Sequence, residues 1–237
     1  MARLVAGTSG FAYPSWKPEF YPPKLASTRF LEYYAGRLNG VEINYTYRRI
    51  AGASTFEKWV QATPALFCFC PKAHMRITHI SRLRDTEDFT EVFLRSLEPL
   101  RATRRLGPIL FQLPPKFPCD VQRLTNFLRS LPEDLRYTFE FRDPSWLCEP
   151  VYDALRLRNA ALCLAESEKL EIPEVLTSNF VYFRLRKPEY SESDRAQIAQ
   201  RVRRLLSDGK DVFVFFKHEE TPAGALYAEE LLSGKHS

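Results

Sequence analysis

The chain is predicted to be an α/β protein, a single closed (β/α)8 barrel spanning residues 1–237 with one crossover helix short or missing. Three observations lead there. Eight short runs rich in β-branched and aromatic residues recur along the sequence, and helix-like stretches separate most of them. No Gly-x-Gly-x-x-Gly turn follows any run to mark an open dinucleotide-binding sheet. The length of 237 residues suits one barrel, which typically takes roughly 250.

In chain order the expected strands are Leu4–Gly7, Gly40–Asn44, Phe67–Pro71, Pro108–Gln112, Tyr137–Phe141, Ala161–Ala165, Phe180–Leu185 and Val212–Phe216. The expected helices are Thr28–Leu38, Ser54–Ala62, Phe89–Ala102, Val121–Leu131, Val151–Arg158 and Asp194–Ser207. Thr28, Ser54 and Asp120 stand where side-chain oxygens cap helix starts, and Gly209 stands where a helix stops. The stretch between the sixth and seventh strands is too short for a full helix, so a single turn around Pro173–Leu176 is expected there.

Composition narrows the function classes. With 45% hydrophobic and 14% aromatic residues the chain can bury a sizeable core, which excludes wholesale disorder. No stretch approaches the roughly 18 apolar residues of a membrane span, and the start turns polar too early for a signal segment, so a cytoplasmic location is expected. Five cysteines (Cys68, Cys70, Cys119, Cys148, Cys163) form no Cys-x-x-Cys pair and read as small buried hydrophobes rather than a zinc site or a disulfide framework. The net charge of +5 permits a phosphate-bearing partner without requiring one. Clusters at Arg101, Arg104, Arg105 and at Arg201, Arg203, Arg204 leave nucleic acid open as a partner.

Alternation along the strands points to a site. If Val41 and Ile43 face helices, Glu42 and Asn44 face the barrel axis. If Tyr137, Phe139 and Phe141 face helices, Thr138, Glu140 and Arg142 face inward. The same parity places Lys72, Gln112, Tyr182, Arg184 and Lys217 on inner or upper positions. A barrel interior is normally filled by branched apolar residues, whereas this one receives carboxylates and cations. Buried charges must pair or face water, and a lattice such as Glu42–Arg184 and Glu140–Arg142 would satisfy that requirement, although the sequence does not fix the partners. Two readings follow: a structural ion network, or a catalytic site at the carboxyl ends of the strands, where barrel enzymes build theirs.

The loops extend the candidate site. Tyr13 and Trp16 follow the first strand and Trp146 follows the fifth, offering aromatic faces beside arginines for a base, a sugar or a phosphate. The histidines are His74, His79, His218 and His236, with no metal-ligand spacing among them. A divalent-ion site from Glu42, Glu140, Glu166 and His218 is the alternative, opposed by Lys72 and Lys217. No bound metal or other cofactor is expected.

The motifs resemble a known family. Gly7-Thr8-Ser9-Gly10 with Tyr13 and Trp16, Phe20-Tyr21-Pro22, Val41-Glu42-Ile43-Asn44 with Thr46 and Tyr47, and Pro71-Lys72-Ala73 match the YecE-like family. So do Ile77-Thr78-His79, Gly107 to Pro115, Glu140 to Trp146, Tyr182-x-Arg184-Leu185, Tyr190-Ser191 and Asp211 to Phe216. The family is a bacterial and archaeal domain of unknown function. The resemblance spans nearly the whole chain and implies a TIM-type barrel, similar in fold to sugar isomerases and apurinic endonucleases. This sequence departs from the commonest family pattern at Phe11, at Glu166, at Arg186 and at Lys217-His218, and its Phe216-Lys217-His218-Glu219 ending looks like a subgroup.

The resulting expectation is an enzyme acting on a small polar, phosphate-bearing or nucleotide-like ligand. Glu140 is the acid/base candidate with Glu42 as its partner. Tyr13, Trp16, Asn44, Lys72, His79, Gln112, Arg142, Trp146, Arg184, Lys217 and His218 are the expected ligand-binding residues. The alternatives are a nucleotide- or nucleic-acid-binding protein without turnover, and a metal-dependent phosphoesterase.

Overall fold

The computed structural model describes residues 2–234; His236 lies outside that range. The first half runs β1 (Leu4–Ser9), α1 (Phe30–Ala35), β2 (Gly40–Ile43), α2 (Tyr45–Arg48), α3 (Ala53–Gln61), β3 (Cys68–Pro71), α4 (Glu87–Ser96), α5 (Glu98–Ala102) and β4 (Ile109–Gln112). The second half runs α6 (Val121–Ser130), β5 (Tyr137–Glu140), α7 (Glu149–Leu157), β6 (Ala161–Ala165), β7 (Phe180–Leu185), α8 (Glu192–Ser207), β8 (Asp211–Phe216) and α9 (Ala223–Ser233).

The eight strands are parallel and ordered β3-β2-β1-β8-β7-β6-β5-β4. The two ends of that order meet in a looser seam, which makes the sheet a nearly closed barrel. Phe69 N–H donates to the Arg105 carbonyl, Gly107 N–H to that of Phe69 and Ala73 N–H to that of Leu110, each at 2.8 Å. Gly107 makes this approach possible: a Cβ there would stand 2.5 Å from Cys70 Sγ and 2.6 Å from Cys68 Sγ.

Alternation divides the core in two. Val5, Cys68, Cys70, Leu110, Ala161, Cys163, Phe180, Tyr182, Phe213 and Phe215 fill the barrel. Val41, Ile43, Phe69, Phe111, Tyr137, Phe139 and Phe141 pack outward in the second cluster with the helices. Cys68 and Cys70 share the inner face with their sulfurs 3.9 Å apart, as small buried hydrophobes do.

The helices differ from expectation in detail. Asp120 caps α6 as expected, accepting from Arg123 N–H at 2.9 Å. Thr28 instead lies in a 3₁₀ turn before α1, and Ser54 is inside α3, whose cap position is Gly52. The long helix expected over 89–102 is broken into α4 and α5, because Pro99 has no N–H to donate to the carbonyl four residues back. No helical turn forms at Pro173–Leu176, where Val175 N–H closes only a three-residue turn on Pro173 O at 2.8 Å; residues 166–179 are otherwise irregular, anchored where Thr177 Oγ1 donates to Ala160 O and accepts from Leu162 N–H. Among the described residues no helix is long and apolar enough to cross a membrane.

Candidate functional site: a cationic cup over a buried ion lattice

At the carboxyl ends of the strands the interior changes from apolar to ionic. Glu42, at the end of β2, is fully buried. Its Oε1 accepts from Ser9 Oγ at 2.5 Å and from Arg184 Nη2 at 2.7 Å; its Oε2 accepts from Tyr182 OH and Arg184 Nε, each at 2.8 Å. Arg184 on β7 thus grips Glu42 through two parallel bonds, the strongest form of this pair. Its third nitrogen, Nη1, donates to Glu140 Oε2.

Glu140, at the end of β5, is 1% exposed. Its Oε1 accepts from Gln112 Nε2 at 2.9 Å and from Arg142 Nε and Arg186 Nη2, each at 3.0 Å, while Arg186 Nη2 also lies 3.1 Å from Oε2. Gln112 Oε1 in turn accepts from Lys72 Nζ at 2.8 Å, and that ammonium lies 4.1 Å from the Tyr47 ring centre. Two carboxylates therefore face four cations: Lys72, Arg142, Arg184 and Arg186.

The electrostatics follow from this imbalance. Burial opposes ionisation of Glu140, but Arg184, Arg186 and Arg142 outweigh it and hold the carboxyl well below its ordinary range. Glu42 is likewise lowered, against burial, by Arg184, Ser9 and Tyr182. Lys72 moves the other way: burial, then the Arg184 charge, lowers its ammonium to about 8. Burial, Lys72 and Arg142 push His79 down to about 4, so its ring is neutral at pH 7.

Above the lattice opens a cup of about 400 Å³ lined by Asn44, Tyr45, Tyr47, Arg48, Arg49, Lys72, Gln112, Arg142, Arg184, Arg186, Lys217 and Glu219. Seven of these side chains are cationic and one is a carboxylate.

The expected site residues divide accordingly. Asn44, Lys72, Gln112, Arg142, Arg184 and Lys217 line the cup, with Glu42 and Glu140 in the lattice beneath. His79 sits beside it, its Nδ1 2.9 Å from Thr78 Oγ1 and its ring edge-on to Tyr47, in a π-helical turn over Arg76–Ile80. Tyr13 folds back over the end of β1, its OH donating to Ser9 O at 3.0 Å. Trp16 and Trp146 offer no ligand-facing surface: both are fully buried, Trp16 against Phe20 and Tyr21, Trp146 stacked on Phe141 with its N–H donated to Phe117 O. His218 lies apart from the cup, against Tyr190 and Tyr227, with Nε2 3.1 Å from Pro188 O.

The quartet Glu42, Glu140, Glu166 and His218 is not brought together. Glu166 instead accepts from the backbone N–H groups of Arg186 and Lys187 and from Tyr190 OH, and among the described residues no group of three or more acidic, histidine or cysteine side chains is placed to hold a metal ion.

Tyr182 faces inward as alternation placed it, and residues absent from the expected site are Ser9, Arg186, Tyr47, Arg48 and Arg49. Ser9 was within reach of the alternation rule, two residues beyond Gly7 on the same face, had the strand been extended to its true end. Arg48 and Arg49 sit at the end of α2, a helix the sequence pattern does not signal.

Fold and site together define a (β/α)8 barrel carrying a cation-rich cup at the carboxyl ends of its strands. The chain belongs to the family described as "Protein of unknown function DUF72", whose model matches residues 5–236. It is 32% identical over 139 residues to the UPF0759 protein YunF of Bacillus subtilis, covering 56% of this chain and 49% of that one. It is also 32% identical over 147 residues to YecE of Escherichia coli K12, covering 62% and 51%. The chain thus spans about half the length of the curated relatives it matches. A DUF72 family protein of Thermotoga maritima superposes with a TM-score of 0.88 at 27% identity, covering 99% of this chain and 100% of that one. A family 2 AP endonuclease of Brucella melitensis shares the fold alone, with a TM-score of 0.57 at 11% identity and coverage of 92% and 93%.

Proposed function

We propose that the cup binds a small phosphate-bearing ligand and that Lys72 moves a proton to or from it. One observation carries this reading: seven cations line the cup against a single surface carboxylate, while the two deep carboxylates are already paired with arginine. Arginine forks and a lysine suit the tetrahedral, multiply charged oxygens of a phosphate. Lys72, lowered to about 8, is close enough to neutrality to exchange its proton, which a fully ionised and saturated Glu140 is not. In this reading Glu42 and Glu140 anchor the arginines rather than perform the chemistry.

A small ligand is favoured over duplex nucleic acid because most of the arginines expected to grip a duplex have partners. Arg101 pairs with Glu98 and Asp134, Arg105 bonds the carbonyls of Val60 and Thr63, and Arg201 and Arg204 share Glu174. Calorimetric titration with inorganic phosphate at low salt tests the reading. Saturable one-site binding is expected, weakened about tenfold, or ~1.4 kcal/mol, in Lys72→Met. Absence of saturable binding to the wild type would sink it. Phosphorus NMR of phosphomonoesters incubated with wild type and Lys72→Met separates turnover from binding alone.

A further inference from the structure

We infer that the ligand of the cup carries a flat aromatic ring, held in a separate slot that opens onto the cup across Asn44 and Tyr45. This rests on the phosphate-binding reading above and adds a second subsite to it. The slot, of about 210 Å³, lies between Gly10, Phe11, Glu42, Asn44, Tyr45 and Trp59. Asn44 and Tyr45 line the cup as well, so a ligand occupying both spaces needs only a short linker between phosphate and ring.

The walls are aromatic. Phe11 and Tyr45 each meet Trp59 edge-on, with ring centres 6.1 and 6.2 Å apart, and Trp59 stacks on Phe69 behind. The loop that forms the near wall depends on Gly10, whose φ of +94° turns the chain back; a Cβ there would fall 2.3 Å from Tyr13 OH. The floor gives no free charge, because both oxygens of Glu42 are occupied by Arg184, Ser9 and Tyr182. At the junction Asn44 Nδ2 donates to Ser9 Oγ at 3.0 Å, and its Oδ1 has no hydrogen bond among the described residues. That amide oxygen faces a ligand N–H or hydroxyl as an acceptor. The space is below the roughly 300 Å³ of a self-sufficient small-molecule pocket, which fits a ring subsite attached to a larger site. Aromatic walls around an uncharged floor select a flat ring over a sugar or a chain, because stacking rewards every exposed π-face.

The test compares three probes by calorimetry: inorganic phosphate, ribose 5-phosphate and adenosine 5′-monophosphate. The wild type binds adenosine monophosphate at least tenfold more tightly than ribose 5-phosphate. Phe11→Leu and Trp59→Leu remove that advantage and leave ribose 5-phosphate affinity within twofold. Trp16 and Trp146 are fully buried, so the ring should quench mainly Trp59 fluorescence. Should Trp59→Leu fail to fold, Phe11→Leu still decides. Equal affinity for the two esters overturns the slot while leaving the cup intact. If no phosphate compound binds, the cup itself fails; adenosine alone must then quench Trp59, and no quenching overturns the slot too.

Discussion

The lower and upper layers of the barrel interior are filled by opposite means. Below, Val5, Cys68, Leu110, Cys163, Phe213 and Phe215 exclude water with apolar volume. Above, Glu42, Glu140 and Arg184 are as deeply buried, yet they stand in place by charge and hydrogen bonding. Removing volume from the lower layer leaves a cavity whose cost is indifferent to pH. Removing a partner from the upper layer leaves an uncompensated charge, and its cost follows the ionisation of what remains. An ion lattice is seldom more stabilising than a well-packed apolar layer, so its presence at the carboxyl ends of the strands argues for a task beyond stability.

Arg184→Met is the severest way to break this contrast, because it removes the cation paired with Glu42 and one of the three arginines on Glu140. Urea denaturation at pH 7 is expected to show a loss on the order of 3–5 kcal/mol. Leu110→Ala, in the lower layer, is expected to cost about 2–4 kcal/mol and to cost the same at pH 5 and pH 8. Equal pH dependence in the two variants would erase the distinction between the layers.

Lys72→Met sharpens the contrast from the ligand side. It removes one of four cations facing two carboxylates and keeps an apolar stem, so stability should change by less than about 1 kcal/mol. Phosphate affinity should nevertheless drop. In the wild type it should weaken further as pH rises through about 8, where the free protein's Lys72 loses its proton, and Lys72→Met should lack that inflection. Calorimetry from pH 6.5 to 9.5 reads both effects.

Much of this arrangement was legible in the residues. Alternation alone turned Glu42, Glu140 and Arg184 inward, and the need to pair buried charges called for a lattice without fixing its partners; the Glu42–Arg184 and Glu140–Arg142 contacts are two of its links. That Arg184 would span both carboxylates was not legible, since it depends on β7 lying across the barrel from β2 and not beside it. Arg186, two residues beyond Arg184 on the same face, reaches Glu140 from just past the end of β7 and was within reach of parity had the strand been followed further. Parity gives no direction in the loops, where Trp16, Trp146 and His218 had the right chemistry for a ligand but fold into packing positions. Helix α9 was missed because Ala-Gly-Ala-Leu-Tyr-Ala begins without a capping side chain and without a polar face to set a helical period.

The central claim is that Glu140 is an anchor held ionised by its arginines, and Glu140→Gln tests it most directly. Because the folded-state pKa is depressed, the carboxylate's contribution is fully present above its ordinary value of 4.5 and is lost as pH falls toward the folded value. Urea denaturation of both proteins should give a difference of about 3 kcal/mol at pH 7, shrinking steadily below pH 4.5. A difference at pH 7 within about 0.5 kcal/mol, as for an uninvolved surface site, would contradict the account and return Glu140 to the role of catalytic base.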